Sequence, residues 1–300
     1  MSPLTFNAHP ETWVLLVALL GGYLYALSAW GPTLAPHRRP ATTSQRVCFY
    51  LGVAALWVGG DWPVHDLAEN WLYSVHMVQH LGFQLVAAPL LLLGTPGWLL
   101  RKLLSPPWLN AAVRAITRPI PALLLMTAFI ALSHMPVFVN LTVRNGLIHF
   151  IAHILLVAFA LVMWWPVVSP LPELPHLSYP GRMAYLFAHS IIPTIPASFL
   201  TFTRTPLYEA YTRFPRVWAW LDPVQDQQIA GLLMKIGAGL LLWAVIAALF
   251  FRWVHEEQTG GPDLLYWRDL RSDLEPSGTA ARSDAAPDRS GASSPTPTTD

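Results

Sequence analysis

The chain carries one cysteine in 300 residues, Cys48, which excludes an intramolecular disulfide and any Cys-x-x-Cys zinc or redox motif. Charge is scarce too. Charged residues make up 12% of the sequence, about half of the roughly 25% usual in a soluble domain. The hydrophobic share is 54% and mean hydropathy is +0.42, which excludes an ordinary soluble enzyme. There is no Gly-rich phosphate loop and no repeat of solenoid length, so nucleotide chemistry has no visible site. A net charge of +1 with no basic block implies no nucleic-acid partner. Residues 1–11 lack Lys and Arg, so the first apolar run has no signal-peptide n-region and is expected to stay as an anchor.

Long apolar runs fill the space that charge leaves. Runs near 12–30, 45–62, 71–93, 119–138, 147–168, 183–203 and 228–251 each approach the roughly 20 helical residues that cross a hydrocarbon core. The expected fold class is all-α, a polytopic bundle of seven transmembrane helices over residues 1–257 embedded in the lipid bilayer. Residues 258–300 end in a Ser/Pro/Thr-rich stretch too poor in apolar surface to offset its ordering entropy, and read as a disordered cytoplasmic tail. Orientation follows from the 18 basic residues. With the N-terminus outside, thirteen fall on inner segments, and Arg144, Arg204, Arg213 and Arg216 fall outside, while Lys235 lies within the seventh run. That asymmetry sets N-out, C-in. Trp30, Trp62, Trp71, Trp218, Trp220 and Trp253 lie near span ends, where interfacial anchors are expected.

Histidines supply the chemistry. On the third run His76 and His80 lie about 40° apart around the helix, with Met77 within about 100° of both and Gln84 one turn deeper. On the fifth run Asn145, His149 and His153 form a second line at steps of four, and the fourth run delivers His134, in Ser-His-Met-Pro, to the same outer level. Polar groups in hydrocarbon are costly and mark sites. A single such histidine reads equally well as a hydrogen-bonded core residue, but five from three consecutive helices read as one metal or cofactor site. Imidazoles with thioethers from Met77 and Met135 nearby favour copper, as Cu(I), over magnesium or calcium.

Other residues read more plainly. His65, with Asp61, Asp66 and Glu69, reads as a solvated outer loop, with capture of incoming cations as the alternative. His189, ahead of Pro193 and Pro196, reads as packing at a kink that leaves the carbonyls of His189 and Ile192 without their helical donors. Cys48 reads as a small buried hydrophobe. Gln227, Ala230, Gly231 and Met234 share a stripe of small residues suited to close helix contact, from which Met234 either reaches the site or only packs. Lys235 points into the bundle beside Asp226 or snorkels outward.

His76-Met77-Val78-Gln79-His80-Leu81, followed by Val86-Ala87-Ala88-Pro89 and Leu90 through Gly94-Thr95-Pro96, resembles the signature of the multi-pass CtaG family of cytochrome c oxidase assembly proteins. His134-Met135-Pro136, the His149/His153 pair, Pro206-Leu207-Tyr208 with Tyr211, and Asp226-Gln227 through Met234 extend the likeness over roughly residues 12–255. Ala152, where an acidic residue is expected in relatives, and Lys235, where an aromatic is common, depart from it.

The resemblance implies a multi-pass protein of a bacterial plasma membrane that is not an enzyme. It would handle copper for a haem-copper oxidase subunit and receive it from a periplasmic donor. Its metal ligands would be His76, Met77, His80, His134, His149, His153 and Met234. The alternative is a histidine-ligated membrane metalloenzyme or a haem protein, in which facing histidines ligate iron axially. A diiron oxygenase would call for denser histidine boxes, and a retinal protein for a carboxylate on the third helix. Cysteine-accessibility labelling is expected to find residues 63–70 and 204–226 outside and the C-terminal tail inside. Labelling of the tail in intact cells would reverse the orientation.

Overall fold

The computed structural model describes residues 5–36, 39–174 and 177–259, so the 258–300 tail lies, from 260 on, outside the described residues. Among the described residues every regular element is helical. In chain order these are α1 (Pro10–Leu34), α2 (Thr43–Gly60), α3 (Val64–Asn70), α4 (Tyr73–Gly94), α5 (Gly97–Leu103) and α6 (Pro107–Ile116). Then come α7 (Pro119–Ser133), α8 (Pro136–Arg144), α9 (Gly146–Val168), α10 (Tyr179–Phe202), α11 (Glu209–Thr212) and α12 (Pro223–Thr259). The described residues up to Trp253 form one compact unit, and 254–259, the end of α12, fall outside it.

Proline and capping side chains explain the helix starts. Pro10, Pro107, Pro119, Pro136 and Pro223 open their helices in the first turn, where a missing N–H costs nothing. Thr42 with Gln45, and Asp222 with Gln225, form reciprocal capping boxes that satisfy the first free amides of α2 and α12.

Among the described residues five helices, α1, α4, α9, α10 and α12, are long and apolar enough to cross a membrane. Two bent pairs, α2 with α3 at 41° and α6 with α7 at 80°, raise the number to seven if each pair counts as one span. The fourth expected run ends early. Instead of continuing to 138, α7 stops at Ser133 after 15 residues, and Pro136 starts a separate helix because its ring cannot extend the old one. At ~1.5 Å per residue α7 alone spans about 22 Å.

Helix α4 lies at the centre, half buried, and packs against α2, α3, α9 and α12. Its regular winding is interrupted by a π-helical turn at Gly82–Ala87, as are those of α1 at Ala26–Trp30 and α12 at Leu233–Gly237. The turn in α4 frees the Gln84 carbonyl, which accepts the Trp164 indole N–H from α9 at 2.8 Å. Trp71 is not an interfacial anchor. It is 9% exposed and packs with Leu72 and Leu221, whereas Trp218 and Trp220 are exposed as expected.

Close backbone approach sets the α2–α4 contact. A Cβ at Gly94 would fall 2.4 Å from the Phe49 amide nitrogen and 2.6 Å from its Cα, so only glycine fits. The Gly94 carbonyl there accepts from the Tyr23 hydroxyl at 3.1 Å, and Tyr23 stacks on Phe49 at 3.7 Å. Gly94→Val is therefore expected to lose roughly 1–3 kcal/mol of stability through forced overpacking. Gly239→Ala, which meets nothing within 4 Å, is expected to lose none. Thermal unfolding in detergent measures both, and an unshifted Gly94→Val midpoint would refute the contact.

Candidate metal centre

Helix α4 begins where a buried carboxylate caps it. Asp226, from the first turns of α12, accepts the Tyr73 amide at 2.6 Å, the Ser74 amide at 3.1 Å and the Ser74 hydroxyl at 2.5 Å. From that fixed start, His76, Met77 and His80 project toward α9. Asn145 caps α9 by accepting the Ile148 amide at 3.1 Å. It is therefore exposed backbone support and not a member of the histidine line. His149 and His153, one and two turns on, are buried.

Three imidazole nitrogens converge. His153 Nε2 lies 3.2 Å from His80 Nε2 and 3.0 Å from His149 Nε2. The His76 ring centroid is 4.1 Å from that of His80 and 5.2 Å from that of His149. Donor atoms of His76, His149 and His153 all lie within 4.8 Å of one another. A neutral imidazole carries one N–H. His153 Nε2 offers either one proton or one lone pair, so at most one of its two short contacts is a hydrogen bond. His76 Nδ1 is buried with no partner at all. A cation with metal–nitrogen bonds of about 2.0–2.1 Å relieves both problems. The same short contacts leave no room for a porphyrin between these pairs.

A hydrogen-bonded chain orients the cluster from outside. Gln79, fixed by donating to the Gly59 carbonyl at 2.7 Å, also donates to His65 Nδ1 at 2.9 Å. His65 then carries its proton on Nε2, 3.4 Å from Glu69 Oε1. The same carboxylate oxygen accepts the His149 Nδ1 proton, which leaves the His149 Nε2 lone pair facing inward. This is the carboxylate–histidine arrangement that orients metal ligands. The expected solvated loop is therefore corrected: His65 stacks over His149 at 5.6 Å and is nearly enclosed.

Its neighbours are equally engaged. Asp61 accepts from the Trp13 and Trp57 indoles, each at 2.8 Å. Asp66 accepts from Asn7 at 2.6 Å and pairs with His9 at 3.1 Å. Burial opposes protonation of His9, but Asp66 and Glu11 outweigh it and raise its pKa above the usual value. A cavity of about 630 Å³ runs from His9 and Glu11 past His65 and Glu69 to His153, between apolar walls from α1, α2 and α9.

The remaining expected residues line two small adjoining cavities. One, of about 20 Å³, touches His76, Met77, His80, His134, His149 and His153. The other, of about 30 Å³, touches Met77, His80, His134, His189 and Met234. His134 ends α7 and donates Nδ1–H to the Ile130 carbonyl at 2.8 Å, so Nε2 bears a lone pair, buried and without a partner. The Tyr208 hydroxyl holds its carbonyl at 2.9 Å. Met135 is 50% exposed and lines neither cavity, because Pro136 redirects the chain immediately after it.

Lys235 neither meets Asp226 nor snorkels. Its ammonium donates to Thr194 Oγ1 at 2.5 Å and to the Ser190 carbonyl at 3.4 Å. At the α10 break Ile192 keeps a weak bond from the Ile195 amide at 3.4 Å. Cys48 is half-buried and free.

The composition of segment 63–70 hides its role, since two acids and one histidine between short turns look like solvated polypeptide. Only the spacing of His65 and Glu69, one helical turn apart, signalled a shared face.

The family model described as cytochrome c oxidase caa3 assembly factor matches residues 21–256. No curated protein and no solved structure matches the chain significantly.

Glu69→Ala is expected to lower the stability of metal-free protein by roughly 1–3 kcal/mol, because the ring N–H groups of His149 and His65 lose their acceptor in a buried place. Glu69→Gln, which keeps one acceptor oxygen, is expected to lose less. Unfolding midpoints check both, and an unchanged Glu69→Ala midpoint would show that the carboxylate does not hold His149.

Proposed function

The chain belongs to the cytochrome c oxidase caa3 assembly factor family, and from that premise we propose that it binds copper at the histidine–methionine cluster and passes it to a haem-copper oxidase subunit. The observation that carries the reading is the meeting of His80, His149 and His153 through three Nε2 atoms at 3.0 and 3.2 Å. Neutral imidazole and thioether donors suit copper, and thioether favours Cu(I). His76, Met77, His134 and Met234 complete the donor set.

In this reading the protein crosses a bacterial plasma membrane seven times, N-terminus out and C-terminus in, each bent helix pair counting as one span. The thirteen-to-four division of basic residues supports that orientation. Copper from a periplasmic donor enters beside Glu11 and Glu69, whose carboxylates attract cations, and follows the cavity to His153. The exposed, stacked Trp218 and Trp220 offer a docking face for the oxidase subunit. The role is one of binding and transfer without catalysis. Moving a metal between ligands needs no acid–base pair tuned to an organic substrate.

Protein purified without added metal is expected to hold copper. Single alanine variants at His76, His80, His149 and His153 are each expected to lower the copper held per chain, while truncation after Glu257 leaves it unchanged. Full copper and full oxidase assembly in all four variants would remove the site. In a deletion strain the oxidase subunits are expected to be made but copper-deficient, with activity partly restored by excess copper. Normal oxidase copper and activity in that strain would reject the function even if the protein binds copper.

A further inference from the structure

The seven expected ligands do not converge on one point. Of the two small cavities, the one lined by His149 and His153 does not reach Met234. Met234 faces the second cavity, of about 30 Å³, together with Met77, His80, His134 and His189. A volume above about 10–15 Å³ accommodates one water-sized occupant. Two imidazole nitrogens at this cavity lack any partner, His134 Nε2 and His189 Nε2, and His189 is only 4% exposed. Buried polar atoms are rarely left so, and each one calls for a cause. The hydrogen bond from His134 Nδ1 to Ile130 keeps Nε2 deprotonated, in the state a metal requires.

We propose that this cavity is a second, separate Cu(I) site, ligated by Met77, Met234, His134 and His189, lying behind the all-imidazole site of His76, His149 and His153. The proposal rests on the copper reading and divides its donor set in two. His80, Met77 and His134 border both cavities, and His80, which also reaches His153, is the imidazole through which an ion moves from one to the other.

Three features fit the chemistry. The four donors are neutral and two are thioethers, a set that selects Cu(I) over divalent ions. The Lys235 ammonium, held on Thr194 and Ser190 beside the cavity wall, repels a divalent ion twice as strongly as a monovalent one. Met234 sits in one π-helical turn, and His80 lies two residues before the start of another. Such turns recur at functional sites. A buried water would use the two imidazoles but not the two sulfurs, which makes sulfur the decisive readout.

The test is anaerobic Cu(I) titration of the full chain against a competing chelator, with X-ray absorption of the loaded protein. Wild type is expected to bind two Cu(I) per chain, with copper–sulfur scattering. Met77→Leu/Met234→Leu, a volume-conserving change, is expected to bind one and to lose the sulfur signal. His76→Ala/His149→Ala is expected to bind one and keep it. His189→Ala is expected to weaken the sulfur-containing site tenfold or more.

Wild-type protein loaded with two equivalents but lacking copper–sulfur scattering would overturn the second site without any variant. So would retention of both ions by the double methionine variant. In either case the imidazole site and the proposed function stand. Wild-type protein that binds no Cu(I) would overturn both readings together.

Discussion

The carboxylate of Asp226 is 1% exposed and holds the first turn of α4 through three donors, the amides of Tyr73 and Ser74 and the Ser74 hydroxyl. Hydrogen bonds to a charged group contribute roughly 1.5–3 kcal/mol each, and the positive end of the helix dipole adds to them. An anion buried without such partners would be strongly destabilising. The contact joins α4 to α12 at one level and sets the depth of everything downstream. His76 and His80 follow Tyr73 by one and two turns on α4, and Met234 follows Asp226 by two turns on α12. Because α2, α9 and α12 all pack against α4, that register decides which donors meet.

The two histidine pairs were legible because each is local. His76 with His80, and His149 with His153, are helical steps that composition and period reveal directly. His134 was legible from its place at a helix end, and the stripe of Gln227, Ala230, Gly231 and Met234 is buried as its small residues imply. A Cβ at Gly231 would fall 2.4 Å from Thr201 Oγ1, so the stripe marks a real close approach. What escaped the sequence depends on contacts across long separations. Glu69 meets His149 across 80 positions, and Asp66 meets His9 across 57. No local pattern encodes either. Met135 shows the converse, since adjacency to His134 says nothing once a helix cap and a proline turn the chain. The π-helical turns at Gly82 and Leu233 likewise leave no trace in composition, yet they shift every side chain beyond them.

Orientation of the histidines is a separate problem from their proximity. Four imidazoles on two helices would sample several tautomers, and only those with lone pairs inward can bind a cation. The chain from Gly59 through Gln79, His65 and Glu69 to His149 fixes one ring, and the Ile130 carbonyl fixes His134. The anchors are backbone carbonyls, whose polarity cannot invert, so the direction of each hydrogen bond follows from the first. A cluster made this way is prepared for metal before metal arrives, which lowers the cost of binding.

The break in α10 solves the remaining electrostatic problem. Pro193 and Pro196 end the first half of that helix near Ile191 and expose carbonyls at its negative end. Those carbonyls need a donor, and Lys235 needs a place for its charge away from hydrocarbon. The ammonium settles at Ser190 and Thr194, so one contact satisfies both demands. Had Lys235 paired with Asp226, the carboxylate would have been shared between α4 and the ammonium, and the cap that sets the depth of His76 and His80 would have weakened. The proline break thus keeps two charges of α12 on separate tasks, Asp226 for the register of α4 and Lys235 for the open end of α10.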